Sequence, residues 1–221
     1  MFSSVLQSWS RAQFRRLAAL FAGTPITPNM LTVTGFFINV LVGLVLASGN
    51  LLAGGILILA AGVFDLLDGA LAKVKNQMSQ FGAFLDSFID RYSEAVIYAG
   101  LLVYYLRQGS LAPCATCGDT AGWLTHYLWT GDTAVNIVLI FFTIVGSQMI
   151  SYARARAGSL KVDCEVGLFP RSERIVLIAL GLLLGLVTPV LWILAIGTQV
   201  TAVQRLIYVW EVTSGRRSPR S

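Results

Sequence analysis

Four aspartates, Asp65, Asp68, Asp86 and Asp90, fall within 26 positions of a 221-residue chain that holds only eleven acidic residues in all. They sit toward the ends of two long apolar stretches, and an aspartate at mid-span costs about 2.5–3.5 kcal/mol to insert, somewhat less near an interface. Spacings of three and four place each pair on one face of a helix. No His or Cys lies near them, and a set of hard oxygen donors selects Mg²⁺ or Mn²⁺ over zinc. If the two helices pack as an antiparallel hairpin through the polar turn at 75–80, the two pairs converge. Gly69 and Gly82 then remove side-chain bulk where helices or a ligand must approach. Two other readings compete. Ion pairs with Lys73, Lys75 and Arg91 would leave three bases to neutralise four acids, and an ion pathway would spread its acids through the bilayer depth.

Five arginines, Arg154, Arg156, Arg171, Arg174 and Arg205, stand at the corresponding ends of the last three apolar blocks, level with the aspartates. The guanidinium presents a planar set of donors suited to phosphate oxygens, so a cluster of them beside an acidic metal site suits an anionic acceptor. The plainer alternative is that they anchor the chain to lipid headgroups, and at this level both stand.

The elements that must carry these residues follow from composition. Hydrophobic residues make up 56% of the chain and charged residues 12%, about half the usual share in a soluble domain, and the mean hydropathy is +0.72. Apolar blocks at about 31–48, 52–72, 82–106, 133–153, 172–188 and 190–210 are long enough for six membrane spans. The net charge of +5 does not mark a nucleic-acid binder: fifteen of the sixteen Lys and Arg lie at alternate block ends, and only Arg107 lies at the others. That asymmetry predicts a multi-pass cell-membrane protein with both termini and the aspartates on the cytoplasmic side. Residues 1–26 form a first unit, in which Val5, Leu6, Trp9, Phe14, Leu17, Leu20 and Phe21 recur at helical spacing among Arg11, Arg15 and Arg16. This predicts an interfacial amphipathic helix rather than a cleaved leader. Residues 27–211 form the six-helix domain and 212–221 a basic cytoplasmic tail. Cys114 and Cys117 fall in an outer loop with His126 and lack the second close ligand pair a zinc site needs, and Cys164 reads as a plain thiol.

The stretch Asp65-Leu-Leu-Asp68-Gly69-Ala-Leu-Ala72-Lys73, then eight residues, then Gly82-Ala-Phe-Leu-Asp86-Ser-Phe-Ile-Asp90 resembles the signature of the CDP-alcohol phosphotransferases, D-x2-D-G-x2-A-R followed by G-x3-D-x3-D. Lys73 stands where the family has Arg, which keeps the charge and loses the bidentate fork. Thr27-Pro28-Asn29-Met30-Leu31-Thr32 is similar to the segment that borders the cytidine pocket in that family. Ser151 to Ala157, Arg171-Ser172-Glu173-Arg174 and Val203 to Leu206 are similar to motifs of the prokaryotic phosphatidylinositol phosphate synthases, with Arg154 where Lys is common and Ser172 where Pro is common.

The resemblance implies an all-α fold of six transmembrane helices behind an interfacial helix, and a homodimer, for which small residues on the third and fourth spans permit close packing. It implies two divalent ions, Mg²⁺ or Mn²⁺, held by Asp65, Asp68, Asp86 and Asp90, with Asp90 also taking the acceptor's proton. CDP-diacylglycerol would bind at Asn29, Thr32, Asp68, Gly69, Ala72, Lys73 and Gly82. An anionic polyol phosphate, inositol phosphate in this subgroup, would meet Arg154, Arg174 and Arg205, with Arg156 and Arg171 nearby. Transfer of the phosphatidyl group with release of CMP is the expected reaction. A phosphatidylglycerol phosphate synthase or an archaetidylinositol phosphate synthase would differ in acceptor or lipid. A transporter would place polar groups at mid-membrane in two related halves, which this sequence does not do.

Overall fold

The computed structural model describes residues 27–75, 79–108 and 132–216, together with Pro25 and Leu128. The expected interfacial helix of 2–21, the loop with Cys114, Cys117 and His126, and the tail beyond 216 lie outside these residues. Among the described residues the chain is all helical, with six helices: α1 (Pro28–Ala47), α2 (Leu51–Val74), α3 (Gln80–Gln108), α4 (Thr133–Ser159), α5 (Arg171–Leu184) and α6 (Val187–Thr213).

Local chemistry sets the boundaries. Thr27 caps α1, its hydroxyl accepting from the Met30 amide at 3.3 Å, and Pro28 occupies the first turn, where its missing N–H costs nothing. Asn50 caps α2 in the same way through the Ala53 amide. At the start of α3 the Gly82 amide donates to Ser79 Oγ at 2.9 Å. Gly185, at φ +70°, closes α5 in the left-handed conformation that glycine adopts without penalty. The expected blocks match these helices within a few residues, apart from the fifth, which runs past the Gly185 break to 188, and α4, which runs on to Ser159. The Ala and Arg of residues 153–157 are strong helix formers, so the segment that looks like a loop flank is two further helical turns.

Helix–helix contacts follow the order α1, α2, α5, α6, α4, α3 and back to α1. All six contribute to one core, including Val42 and Leu46 of α1, Ile58 of α2, Ile97 and Leu101 of α3, Ile140 of α4, Ile178 of α5 and Leu191 and Leu194 of α6. The α1–α3 contact is closest at Gly43 and Gly100, where a Cβ on Gly100 would collide with the Gly43 backbone, so any larger side chain must push the helices apart. Here the structure departs from the expected hairpin: among the described residues α2 and α3 each pack chiefly on α1, which stands between them, rather than on each other.

Among the described residues three helices, α1, α4 and α6, are long and apolar enough to cross a membrane. The apolar part of α2 is shorter, Leu51–Asp65. Helix α3 carries Asp86, Asp90, Arg91 and Glu94 in its first half. Helix α5, at 14 residues, extends about 21 Å, short of the roughly 30 Å of a bilayer core.

Candidate active site

Every residue of the signature lies at one end of the bundle, where α1, α3 and α5 begin and α2, α4 and α6 end. The opposite end is marked by Arg107, whose Nη1 donates to the Ala47 carbonyl at 3.2 Å. Asp65 on α2 and Asp90 on α3 are joined through Arg171, the first residue of α5. Its Nη2 lies 2.9 Å from Asp65 Oδ2 and its Nη1 2.6 Å from Asp90 Oδ1. Asp86 stands one turn before Asp90 on the same face, half-buried and within electrostatic reach of Arg171 and Asp65. Asp68, Gly69 and Ala72 are on α2, and their side chains lie outside the described residues.

The two carboxylates therefore come from helices that pack chiefly on α1 rather than on each other, and one guanidinium bridges them. Arg171 acts as a stand-in cation: it shows that the donors of α2 and α3 face a common point, although no set of three His, Cys, Asp or Glu close enough to hold a metal forms among the described residues. Its Nε is buried without a hydrogen-bond partner. Anionic oxygens of hard character fit Mg²⁺ or Mn²⁺. Asp65 and Asp90 thus pair with Arg171, and Lys73 is exposed in the last turn of α2.

At the start of α3, Gly82 meets Asn29. A Cβ at Gly82 would stand 3.2 Å from Asn29 Oδ1 and 3.0 Å from Ser79 Oγ, so the glycine lets the start of α1 approach the start of α3. Gly35 of α1 faces Asp65, whose Oδ1 would lie in ordinary contact, 3.5 Å, from a Cβ there. Thr32 is buried one turn into α1, its hydroxyl donating to the Pro28 carbonyl.

A cavity of about 510 Å³ opens beside Asp90, and among its lining are Arg91, Arg154, Arg171, Arg174 and Arg205. Of Asp65, Asp86 and Asp90, only Asp90 borders it. Arg205, 6% exposed, donates through Nη1 to the Ile150 carbonyl at 2.6 Å and through Nε to the Val166 carbonyl at 2.9 Å. Carbonyl dipoles hold its position and leave its charge for an anion. Arg154 is exposed and pairs with Glu165 at 2.6 Å. Arg156 is not brought to the cavity. Two positions on from Arg154 it points to the opposite side of α4, toward an apolar groove between α4 and α6, and its side chain meets Ser159.

Two charged residues of the cavity wall are absent from the expected site: Arg91, which the sequence offers only as an ion-pair partner of the aspartates, and Glu94. Arg91 follows the last signature aspartate and donates to the Ser151 carbonyl of α4 at 3.4 Å. Glu94 is 3% exposed and holds Arg174, itself 1% exposed, in a two-pronged ion pair. The available signal is the series Asp86, Asp90, Glu94 at fours, which continues the acidic face one turn further along α3. Cys164 packs with Ala157, Val162 and Tyr208 in a small second core beneath the segment before α5, and burial pushes its thiol pKa up, in keeping with a plain, unreactive thiol.

A profile of the CDP-alcohol phosphatidyltransferase family matches residues 25–204. An archaetidylinositol phosphate synthase of Methanothermobacter thermautotrophicus is 37% identical over 189 residues, 83% of each chain. A phosphatidylinositol phosphate synthase of Mycobacterium tuberculosis is 28% identical over 224 residues, 94% of this chain and 92% of that one. Crystal structures of the M. tuberculosis phosphatidylinositol phosphate synthase superpose with a TM-score of 0.71 for the form with CDP-DAG bound, covering 89% of this chain and 93% of that one. The form in complex with manganese and citrate gives 0.73, covering 89% and 88%; both are 26% identical.

Proposed function

The chain belongs to the CDP-alcohol phosphatidyltransferase family, and we propose that it transfers the phosphatidyl group of CDP-diacylglycerol to inositol phosphate, releasing CMP. One observation carries this reading. Asp65 and Asp90 converge on a single cationic group at the rim of a cavity with five arginines in its wall. A donor half-site for a metal-bound pyrophosphate and an acceptor half-site for a phosphomonoester thus share Asp90.

In this proposal Asp65, Asp68, Asp86 and Asp90 hold two divalent ions, Mg²⁺ or Mn²⁺. When bound, the ions supply charge neutralisation to the pyrophosphate as the phosphorus–oxygen bond to CMP breaks. Asn29, Thr32, Gly69, Ala72, Lys73 and Gly82 shape the nucleotide side. The close fit of Gly82 against Asn29 supports this, because a side chain there would fill the approach. Arg154, Arg171, Arg174 and Arg205 orient the acceptor's phosphate, and Arg156 is left as a surface cation. The acceptor hydroxyl then lies between the arginines and Asp90, which takes its proton as the oxygen attacks the phosphorus joined to the diacylglycerol. Direct attack requires no Ser, Cys or His nucleophile.

The proposal extends to six transmembrane helices in the cell membrane, with both termini and the active site cytoplasmic. The segregation of basic residues to the end that bears the site supports it. The unit 27–211, flanked by an interfacial helix and a basic tail, is proposed to work as a homodimer. An exposed ladder of Phe84, Phe88 and Tyr92 on α3 offers a partner surface.

The archaeal relative favours a second reading in which the lipid is an archaetidyl, ether-linked CDP-lipid and the acceptor is unchanged. Turnover of purified protein with ester- and ether-linked CDP-lipids, each against inositol phosphate and glycerol phosphate, tests both. The proposal expects inositol phosphate to be preferred by at least tenfold in kcat/KM, and preference for glycerol phosphate contradicts it.

A further inference from the structure

The cavity contains a carboxylate that the reaction as derived does not use. Glu94 sits one helical turn beyond Asp90, where an anion in an apolar helix needs full compensation. Compensation comes from two other helices. Arg174 of α5 donates from Nε to Oε1 and from Nη2 to Oε2, both at 2.7 Å, and Ser147 of α4 donates to Oε1 at 2.9 Å. The remaining terminal nitrogen of Arg174, Nη1, donates to the Phe169 carbonyl at 2.8 Å, just ahead of α5.

We propose that Glu94 is a positioning residue for acceptor recognition, fixing the plane of the Arg174 guanidinium in the cavity wall and, through it, the start of α5 that carries Arg171.

Three of the five guanidinium N–H groups are committed, one on Nε and one on each Nη, which leaves one on each Nη for a ligand in the cavity. A long arginine side chain otherwise has many rotamers, and the two-pronged contact selects one. The pair is also neutral as a whole, so Arg174 offers direction more than net charge. Net positive charge comes from Arg205, which is held only by carbonyls, and from Arg91. Arg171 lies one turn before Arg174 on α5, so the same clamp sets the reach of Arg171 toward Asp65 and Asp90.

This inference rests on the proposed acceptor site, and the test separates the two. Purified protein in detergent is first assayed with a panel of phosphorylated polyols, and absence of turnover with inositol phosphate counts against the proposed function alone. On whichever acceptor the wild type uses, Glu94→Gln, which keeps shape and removes charge, is expected to raise the acceptor KM at least tenfold while the CDP-lipid KM stays within twofold. In an Arg174→Lys background the same substitution should add less than threefold, because its effect passes through Arg174. Should Glu94→Gln fail to fold, Glu94→Asp retains the charge but cannot reach both donors, and Ser147→Ala removes only the third contact. Each should raise the acceptor KM by about three- to tenfold. The inference is overturned if both KM values rise together, if the Glu94 and Arg174 effects multiply, or if Glu94→Asp and Ser147→Ala keep the wild-type acceptor KM.

Discussion

Because Arg171 bridges Asp65 and Asp90, the protein's own cation competes for the carboxylates proposed to hold metal, and removing it should tighten metal binding. The perturbation is Arg171→Gln, which keeps a polar side chain and deletes the charge. The two contacts, at 2.9 and 2.6 Å, are partly screened, since the arginine side chain is 29% exposed and the aspartates 32% and 24%. Fully buried charged hydrogen bonds contribute about 1.5–3 kcal/mol and exposed pairs about 0–1 kcal/mol, so about 1 kcal/mol for each contact is reasonable here. Relief of about 2 kcal/mol corresponds to roughly a thirtyfold gain in affinity. Titration of detergent-purified protein with Mn²⁺, following the paramagnetic resonance signal of the free ion in the absence of nucleotide, reads the dissociation constant directly. Arg171→Lys, able to reach one carboxylate at a time, should fall between. Unchanged or weaker Mn²⁺ binding in Arg171→Gln would show that Asp65 and Asp90 are not the metal donors.

Asp65→Asn, Asp68→Asn and Asp86→Asn should each abolish turnover with little effect on thermal unfolding, since the amide keeps the shape and loses the charge; more than about a tenth of wild-type activity in two of the three, a barrier change under roughly 1.4 kcal/mol, speaks against a shared site. Lys73→Ala should raise the CDP-lipid KM and Lys73→Arg should restore or improve it, whereas an unchanged KM in the alanine variant removes Lys73 from the nucleotide site. Arg154→Ala and Arg174→Ala should both weaken acceptor use about ten- to a hundredfold, but they part on stability. Arg154 is exposed, so its loss leaves the unfolding temperature unchanged, while loss of Arg174 strands Glu94 and costs about 3–5 kcal/mol; equal stability of the two would contradict the buried clamp.

Much of this site is legible before any coordinates. Period and caps locate the helices, because Thr27-Pro28 and Asn50 act within a few residues of themselves. The aspartate signature is local too, two pairs each on one helical face. Relations across the fold were harder to read. The pairing of Glu94 with Arg174 joins residues 80 apart, and no periodicity encodes it. The wedge of α1 between α2 and α3 depends on Gly43 meeting Gly100, a contact between helices that are not consecutive. Arg156 is different. Its spacing of two from Arg154 places it on the other side of a helix, but an apolar block that ends at residue 153 does not show that the helix runs on to Ser159.

The central claim is that the carboxylates of α2 and α3 and the arginine-lined cavity act together as one metal-dependent transferase site. The most direct measurement is CMP release by the purified protein supplied with CDP-diacylglycerol, Mg²⁺ or Mn²⁺ and inositol phosphate, each omitted in turn. The account predicts CMP and phosphatidylinositol phosphate in equal amounts when all three are present, and neither when the metal is chelated or the acceptor withheld. CMP released at the same rate without the acceptor, or with the metal chelated, would contradict it.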